Sequence, residues 1–293
     1  MNVVQPSSDL QPALDAVKRK RPAGFDIRPR RGLFDLDIES VWQFRELLFV
    51  LMMRDIQVLY RQAAFGVAWA IIQPVFAVAI FTIVFGHFAK ISTNGIPYAV
   101  FAFAGVLPWT YFSEAFRRSA TGLVTDAELV RKVYFPRLII PLTGVISPIV
   151  EFGIGFVILL VLMLWYGIMP SWHLLAVLPL IVLSGLLALA MGLWLGPLNV
   201  RFRDIKHTLP FIIQVWMYAS PIVYPLSMVP KEWQWAYSLN PMVGVIEGFR
   251  WAVFGAGELH VVSLGISLVL IGILLAGGLM FFKRMEQSFA DVI

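Results

Sequence analysis

The sequence predicts an all-α integral membrane protein with six transmembrane helices. An N-terminal interfacial helix precedes them, and a re-entrant helical segment sits before the last span. Three observations predict this. Hydrophobic residues make up 59% of the chain and charged residues 14%, with a mean hydropathy of +0.79, whereas soluble domains carry about 25% charged residues. Apolar runs of membrane length recur between short polar stretches. Twenty of the 23 Lys and Arg residues fall in polar stretches that one orientation places on a single side of the membrane.

Several kinds of chemistry are excluded. The chain has no cysteine, hence no disulfide scaffold, thiolate nucleophile or cysteine metal site. No G-x-x-x-x-G-K-[ST] loop is present, so ATP is not bound through a P-loop in this chain. His87, His173, His207 and His260 are scattered, without the H-E-x-x-H spacing of a metal site. No G-x-S-x-G elbow offers a nucleophile, and no catalytic residue is assigned. The net charge of +5 lies mostly in the first third. It bears on membrane orientation and not on nucleic acid.

Residues 1–40 contain KRKR at 18–21, three arginines among 28–31, and Pro12, Pro22 and Pro29. Little there builds a core, and the expectation is a disordered cytoplasmic tail without a cleavable signal peptide. Residues 41–61 are too charged to span. Phe44, Leu47, Leu48 and Leu51 recur at helical spacing, while Arg45, Glu46, Arg54, Asp55 and Arg61 keep the segment near water. This is an amphipathic helix lying on the inner leaflet. The six-span body is expected over 62–284, with spans near 63–87, 98–116, 138–166, 174–198, 208–224 and 261–282. A cytoplasmic tail, 285–293, follows. The basic asymmetry puts both termini in the cytoplasm, leaving only Lys90, Lys231 and Arg250 on the outer side.

Two stretches depart from a simple alternation of span and loop. The loop 117–137 holds Arg117, Arg118, Arg131, Lys132 and Arg137 with Asp126 and Glu128. Asp126 has the character of an N-cap, Glu128 follows in the first turn and Arg131 and Lys132 come later. That order suits a short helix along the membrane face, ended by Pro136. It reads either as an ordinary positive-inside loop or as a docking helix for a cytoplasmic partner. Within 225–258, Asn240 and Pro241 read as N-cap and first helical position of a helix to about Phe254. Its fourteen residues give about 21 Å against an apolar core of ~30 Å. A re-entrant or interfacial helix fits better, with Glu247 and Arg250 at i, i+3 able to pair. Two acids look embedded. Glu114 has Arg117 and Arg118 one turn on and reads as a structural pair, and Glu151 reads as either pore-lining or hydrogen-bonded. Gly192 and Gly196 form a GxxxG pair for close helix contact.

Five pieces in order carry a family resemblance: RDIQVLYRQAAFGVAWAIIQP at 54–74, FAGVLPWTYFSEAF at 103–116, LVRKVYFPRLIIP at 129–141, NVRFRDIKHTLPFIIQVWMYASPIVYP at 199–225 and LNPMVGVIEGFRWAVF at 239–254. Over residues 40–285 the chain resembles the membrane subunit of ABC-2 type exporters, in the branch that moves polysaccharides, O-antigen and teichoic-acid-like polymers. The resemblance implies a homodimeric permease in the cytoplasmic (inner) membrane. It works with two copies of a cytoplasmic ABC ATPase, which binds the ATP and Mg, and this chain itself carries no cofactor. The resemblance also implies that Arg54, Asp55, Asp126, Glu128, Arg131, Lys132 and Arg137 couple to that ATPase. The cargo it implies is a lipid-linked glycan such as O-antigen or capsule.

Aromatic faces stack on sugar rings, so Trp109, Tyr111, Phe112, Trp216 and Tyr218 are candidates for the glycan path beside Glu151, with helix packing as the plain alternative. Trp165, Tyr166, Trp172, Trp233, Trp235 and Tyr237 read as interfacial anchors. Rival readings are a teichoic-acid or drug exporter on the same scaffold, and a membrane glycosyl- or acyltransferase. The missing carboxylate pair or His–acid dyad argues against the enzyme. An ion channel or proton-coupled carrier would show more embedded charge.

Overall fold

A computed structural model describes residues 38–61, 68–93, 95–202, 204–255 and 259–286. Their regular structure is all helical, with no strand among the described residues. The expected tail at 1–40 lies almost wholly outside them, as do residues 62–67 at the head of the first apolar run and most of the tail after 285.

Helices α1 (Ile38–Gln43) and α2 (Arg45–Arg61) are separated at Phe44. The predicted stripe holds: Leu51 is buried, and Phe44, Leu47 and Leu48 pack on the core. Helix α3 (Ala68–Phe81) continues through a π-helical segment, Thr82–Phe88. Helix α4 (Tyr98–Thr125) is the longest, at 28 residues, and is buried on most sides from Val100 to Phe116. Then follow α5 (Ala127–Lys132), α6 (Ile139–Ile146), α7 (Ile149–Trp165), a 3₁₀ turn at Trp172–Ala176 and α8 (Val177–Arg201). Helices α9 (Ile205–Tyr218), α10 (Lys231–Tyr237), α11 (Pro241–Phe254) and α12 (Val261–Glu286) complete the chain. Three helical stretches, Ile139–Trp165, Trp172–Arg201 and Val261–Glu286, are long and apolar enough to cross a membrane.

Helix α4 is the centre. It packs against α8 first, then α6, α11, α7, α3 and α9, while α12 packs on α8 and α11. The close approach is set by glycine. A Cβ at Gly144 of α6 would stand 2.7 Å from the Ser119 nitrogen and 2.8 Å from the Arg118 carbonyl carbon. Both are backbone atoms with no rotamer to move. On the other side of α4, a Cβ at Gly192 of α8 would overlap the Ser119 side chain, and one at Gly185 would stand 2.7 Å from the Tyr111 hydroxyl. Gly196 faces the Ser119 and Ala120 carbonyls, so the GxxxG pair serves helix contact, as small residues do where backbones meet.

Three elements differ from the sequence expectation. Helix α4 does not end at 116 but continues to Thr125, through Arg117 and Arg118. Ser119, Ala120 and Leu123 are buried in the interface with α6 and α8, and packing carries the helix past the apolar run. The third run is two helices, broken at Ser147 and Pro148 because proline has no N–H to continue the ladder. The fifth run is helical only to Tyr218 and unwinds before Pro221.

The glycine contacts set a measurable expectation. Gly144→Ala should lower the thermal unfolding midpoint of the detergent-solubilised chain, at a cost of about 1–3 kcal/mol. Gly153→Ala, with nothing within 4 Å of its Cβ, should stay within about 0.5 kcal/mol. Equal midpoints would show that the α4–α6 approach does not limit stability.

Candidate functional site

The C-terminal half of α4 carries a connected set of ion pairs. Arg54 of α2 reaches across to Asp126, just after α4, with Nη1 2.9 Å from Oδ1 and Nη2 3.0 Å from Oδ2. Its Nη2 also donates to Asp55 at 2.8 Å, and Asp55 lies 3.5 Å from the Ser147 hydroxyl at the α6–α7 break. The Asp126 carboxylate, against the opposing effect of burial, holds the Arg54 guanidinium above its ordinary value. One arginine thus ties α2 to the α4–α5 junction over 72 residues of sequence. A bidentate arginine–carboxylate pair fixes orientation as well as distance. Asp126 was expected to cap α5 with its side chain. It occupies the cap position, but its carboxylate makes no cap bond. Arg54 takes that carboxylate, and the Asp126 carbonyl receives the Leu129 and Val130 N–H groups.

The neighbouring acids are also engaged. Glu114 binds Arg117 at 2.6 Å and Arg118 at 2.6 Å, as its spacing predicted. Arg118 also donates to Glu151 at 2.7 Å, joining α4 to α7. A cleft of ≈ 390 Å³ opens among α2, α4 and α6, lined by Arg54, Asp55, Arg117, Arg118 and Asp126. Beyond it α5 projects outward. Its Glu128 and Lys132 pair at 2.5 Å while three-quarters exposed, a geometry that contributes little stability. Arg131 is exposed, and Val133 and Tyr134 follow at 48% and 67% exposure, so apolar and basic groups share this surface. Arg137 turns back and donates to the Glu286 carbonyl at the end of α12.

At the N-terminal end of α4 the polar network is of another kind. Asn240 caps α11 by accepting from Met242 N at 3.0 Å, as expected, and Pro241 takes the first turn. Asn240 also accepts from Trp216 Nε1 at 2.8 Å and donates to the Ala219 carbonyl and the Ser220 hydroxyl, both at 2.9 Å. Glu247 and Arg250 pair at 2.9 Å, as their spacing suggested, with side chains 13% and 5% exposed. Gly255 ends α11 in the left-handed conformation, φ 60°.

The aromatic candidates separate by burial. Trp109, Tyr111 and Phe112 are buried core residues in this arrangement, the placement that the packing alternative describes. Trp216 lies edge-on to Phe112 and Phe116, 5.0 and 6.3 Å between centroids. Tyr218 points away, 67% exposed. Neither sits mid-helix, because α9 stops at Tyr218. Glu151 is ion-paired, matching its hydrogen-bonded alternative. Sequence reasoning missed Arg118 as a bridge, Tyr98 and Gly105 as partners of the unwound segment after α9, and Asn240 as a hub. All four are long-range pairings, for which local spacing carries no signal.

A family model described as ABC-2 type transporter matches residues 46–254. The chain belongs to this membrane transporter family. It is 29% identical over 261 residues to the O-antigen export system permease protein RfbA of Myxococcus xanthus, covering 87% of this chain and 98% of that protein. A protein of the same name from Klebsiella pneumoniae is 27% identical over 249 residues, covering 85% and 95%. The polysialic acid transport protein KpsM of Escherichia coli is 26% identical over 253 residues, covering 81% and 93%.

The burial of the two α9 aromatics yields an unequal pair of variants. Trp216→Ala removes two ring contacts and a hydrogen bond and should cost on the order of 3 kcal/mol. Tyr218→Ala should cost less than about 0.5 kcal/mol. Thermal unfolding in detergent measures both, and equal losses would contradict the assignment of Trp216 to packing.

Proposed function

We propose that this chain is the permease subunit of an ATP-driven exporter that moves a lipid-linked polysaccharide, of the O-antigen or capsule type, across the cytoplasmic membrane. The observation that carries this reading is near full-length similarity to permeases named for O-antigen export and polysialic acid transport. Two chains form the permease, and two copies of a separate cytoplasmic ATPase hold the ATP and Mg. Both termini are cytoplasmic, six segments span the membrane, and α11 is re-entrant.

In this reading α5 is the coupling helix. Its Glu128, Arg131 and Lys132, with Val133 and Tyr134 beyond them, offer a surface on which charge can set the register of a partner. ATPase closure pushes on residues 41–61 and 119–137, and the Arg54–Asp126 pair makes those two segments move together. Spans one and five line the path at the dimer interface. The exposed face of α9 supports this. His207, Phe211, Gln214 and Tyr218 recur along it at helical spacing, and all four are exposed. An amide and a phenol turned toward hydrocarbon would lose their hydrogen bonds. A hydroxyl-rich polymer supplies partners, and uncharged rings let it slide. Tyr218 is the aromatic residue that keeps the path role. Trp109, Tyr111, Phe112 and Trp216 would shape the path only through packing, and Glu151 only through its pair with Arg118.

Two experiments test the reading. Combining Glu128→Lys, Arg131→Glu and Lys132→Glu should abolish ATPase stimulation and polymer export while membrane levels stay normal. Normal export by a well-expressed triple variant would refute the coupling role. For topology, single cysteines replacing Ser92, Met169 and Ser227 should react with an impermeant thiol reagent added outside intact cells. Cysteines replacing Tyr134 and Thr208 should not, and reaction at 134 would reverse the orientation.

A further inference from the structure

Beyond Tyr218 the backbone leaves the helical ladder, and side chains from two other elements replace its partners. The Ala219 carbonyl accepts from Asn240 Nδ2 at 2.9 Å. The Ile222 carbonyl accepts from Arg250 Nη2 at 2.6 Å, and the Tyr224 carbonyl from Arg250 Nη1 at 3.4 Å. Between them the Val223 carbonyl accepts from the Tyr98 hydroxyl at 2.7 Å. The Leu226 N–H donates to Glu247 Oε1 at 3.4 Å. Irregular backbone at membrane depth is tolerated only where protein meets its polar groups, and here α11, its cap and the start of α4 do so.

Arg250 is the common element. It is 4% exposed, Glu247 balances its charge, and its Cζ stands 3.8 Å from the Phe101 ring centroid. A planar guanidinium can serve two carbonyls and a carboxylate while stacking on a ring. A lysine places its three donors on a single atom, so it cannot reach acceptors spread across both guanidinium nitrogens or stack a planar group on the ring. Gly105 of α4 makes the room. A Cβ there would fall 2.5 Å from the Ile222 carbonyl oxygen and 2.6 Å from Arg250 Nη2. Were 219–226 to rewind onto α9, Arg250 would lose both carbonyls inside a buried site, a costly position for a charge.

We propose that Arg250, seated over Gly105, is a positioning residue for transport. It holds residues 219–226 unwound, fixes where α9 ends, and so sets the mouth of the polymer path next to Tyr218. The transport part rests on the exporter reading, and the structural part does not.

The test uses the full-length chain in membranes, with a single cysteine introduced as Ile222→Cys, a position 2% exposed. A small thiol reagent should label it on the order of tenfold faster when Arg250→Lys or Gly105→Ala is added, because a local opening is made easier. Gly105→Ala leaves every charge in place and raises helix propensity, so its effect cannot come from a weakened α4. A control cysteine, Leu187→Cys, buried in α8, should stay unreactive in both backgrounds. Polymer export should fall in both while ATPase activity of the complex persists. Protection of position 222 in either variant overturns the proposal, and so does parallel opening at position 187, which would make Arg250 a general fold residue. Raised labelling with normal export overturns the transport role. If the unmodified chain exports no polymer, the exporter reading falls, and the labelling contrast still decides the role of Arg250.

Discussion

The passage of α4 between α6 and α8 is the constraint on which the structure depends. Ser119 is the narrowest point, with Gly144 on one side and Gly192 on the other. Apolar burial alone does not fix that geometry, because lipid offers helices much the same apolar surroundings as a protein neighbour does. Close backbone approach does fix it, since dispersion falls steeply with separation. With α4 held there, its two ends become platforms. The end at Asp126 receives α2 and launches α5, and the end at Tyr98 receives the unwound segment after α9.

The two platforms use different chemistry because they hold different things. At the Asp126 end, long charged side chains join separate elements, Arg54 to Asp126 and Arg118 to Glu151, while Glu114 on α4 itself holds Arg118 in place. Such pairs specify orientation, and the half-exposed ones contribute little to stability. At the Tyr98 end, side chains bind backbone. Tyr98, Asn240 and Arg250 donate to carbonyls that no helix or strand satisfies. An unmet carbonyl is costly wherever water is excluded, so this end needs more partners per residue and is more exacting about shape.

Much of this was legible in the sequence, and the rest was illegible for identifiable reasons. Helix existence followed from apolar runs, the cap at Asn240 and Pro241 from local chemistry, and the Glu247–Arg250 pair from i, i+3 spacing. Each depends on residues within a turn or two of one another. The reading of Asp126 as a side-chain cap failed because a residue 72 positions away competes for the same carboxylate. The end of α4 at 116 failed because the helix is extended by glycines on two other helices. The aromatics Trp109, Tyr111 and Phe112 illustrate a further limit. Composition shows that rings are present, but only packing shows that all three turn inward.

The same contrast indicates where the molecule can move. The α4–α8–α12 body is held by many small contacts, among them Trp194 Nε1 on the Leu274 carbonyl at 3.0 Å and its ring stacked on Phe281. No single side chain there is a hinge. Helix α2 and segment 219–226 add to their apolar packing a few directional bonds, which have discrete alternatives. The Arg54–Asp126 pair joins α2 to one end of α4, the Arg118–Glu151 pair joins α4 to α7, and at the far end of α4 segment 219–226 is pinned by Tyr98 and Arg250. Packed helices shift little along such a line. The directional bonds at its two ends are therefore the contacts in it that depend on single side chains.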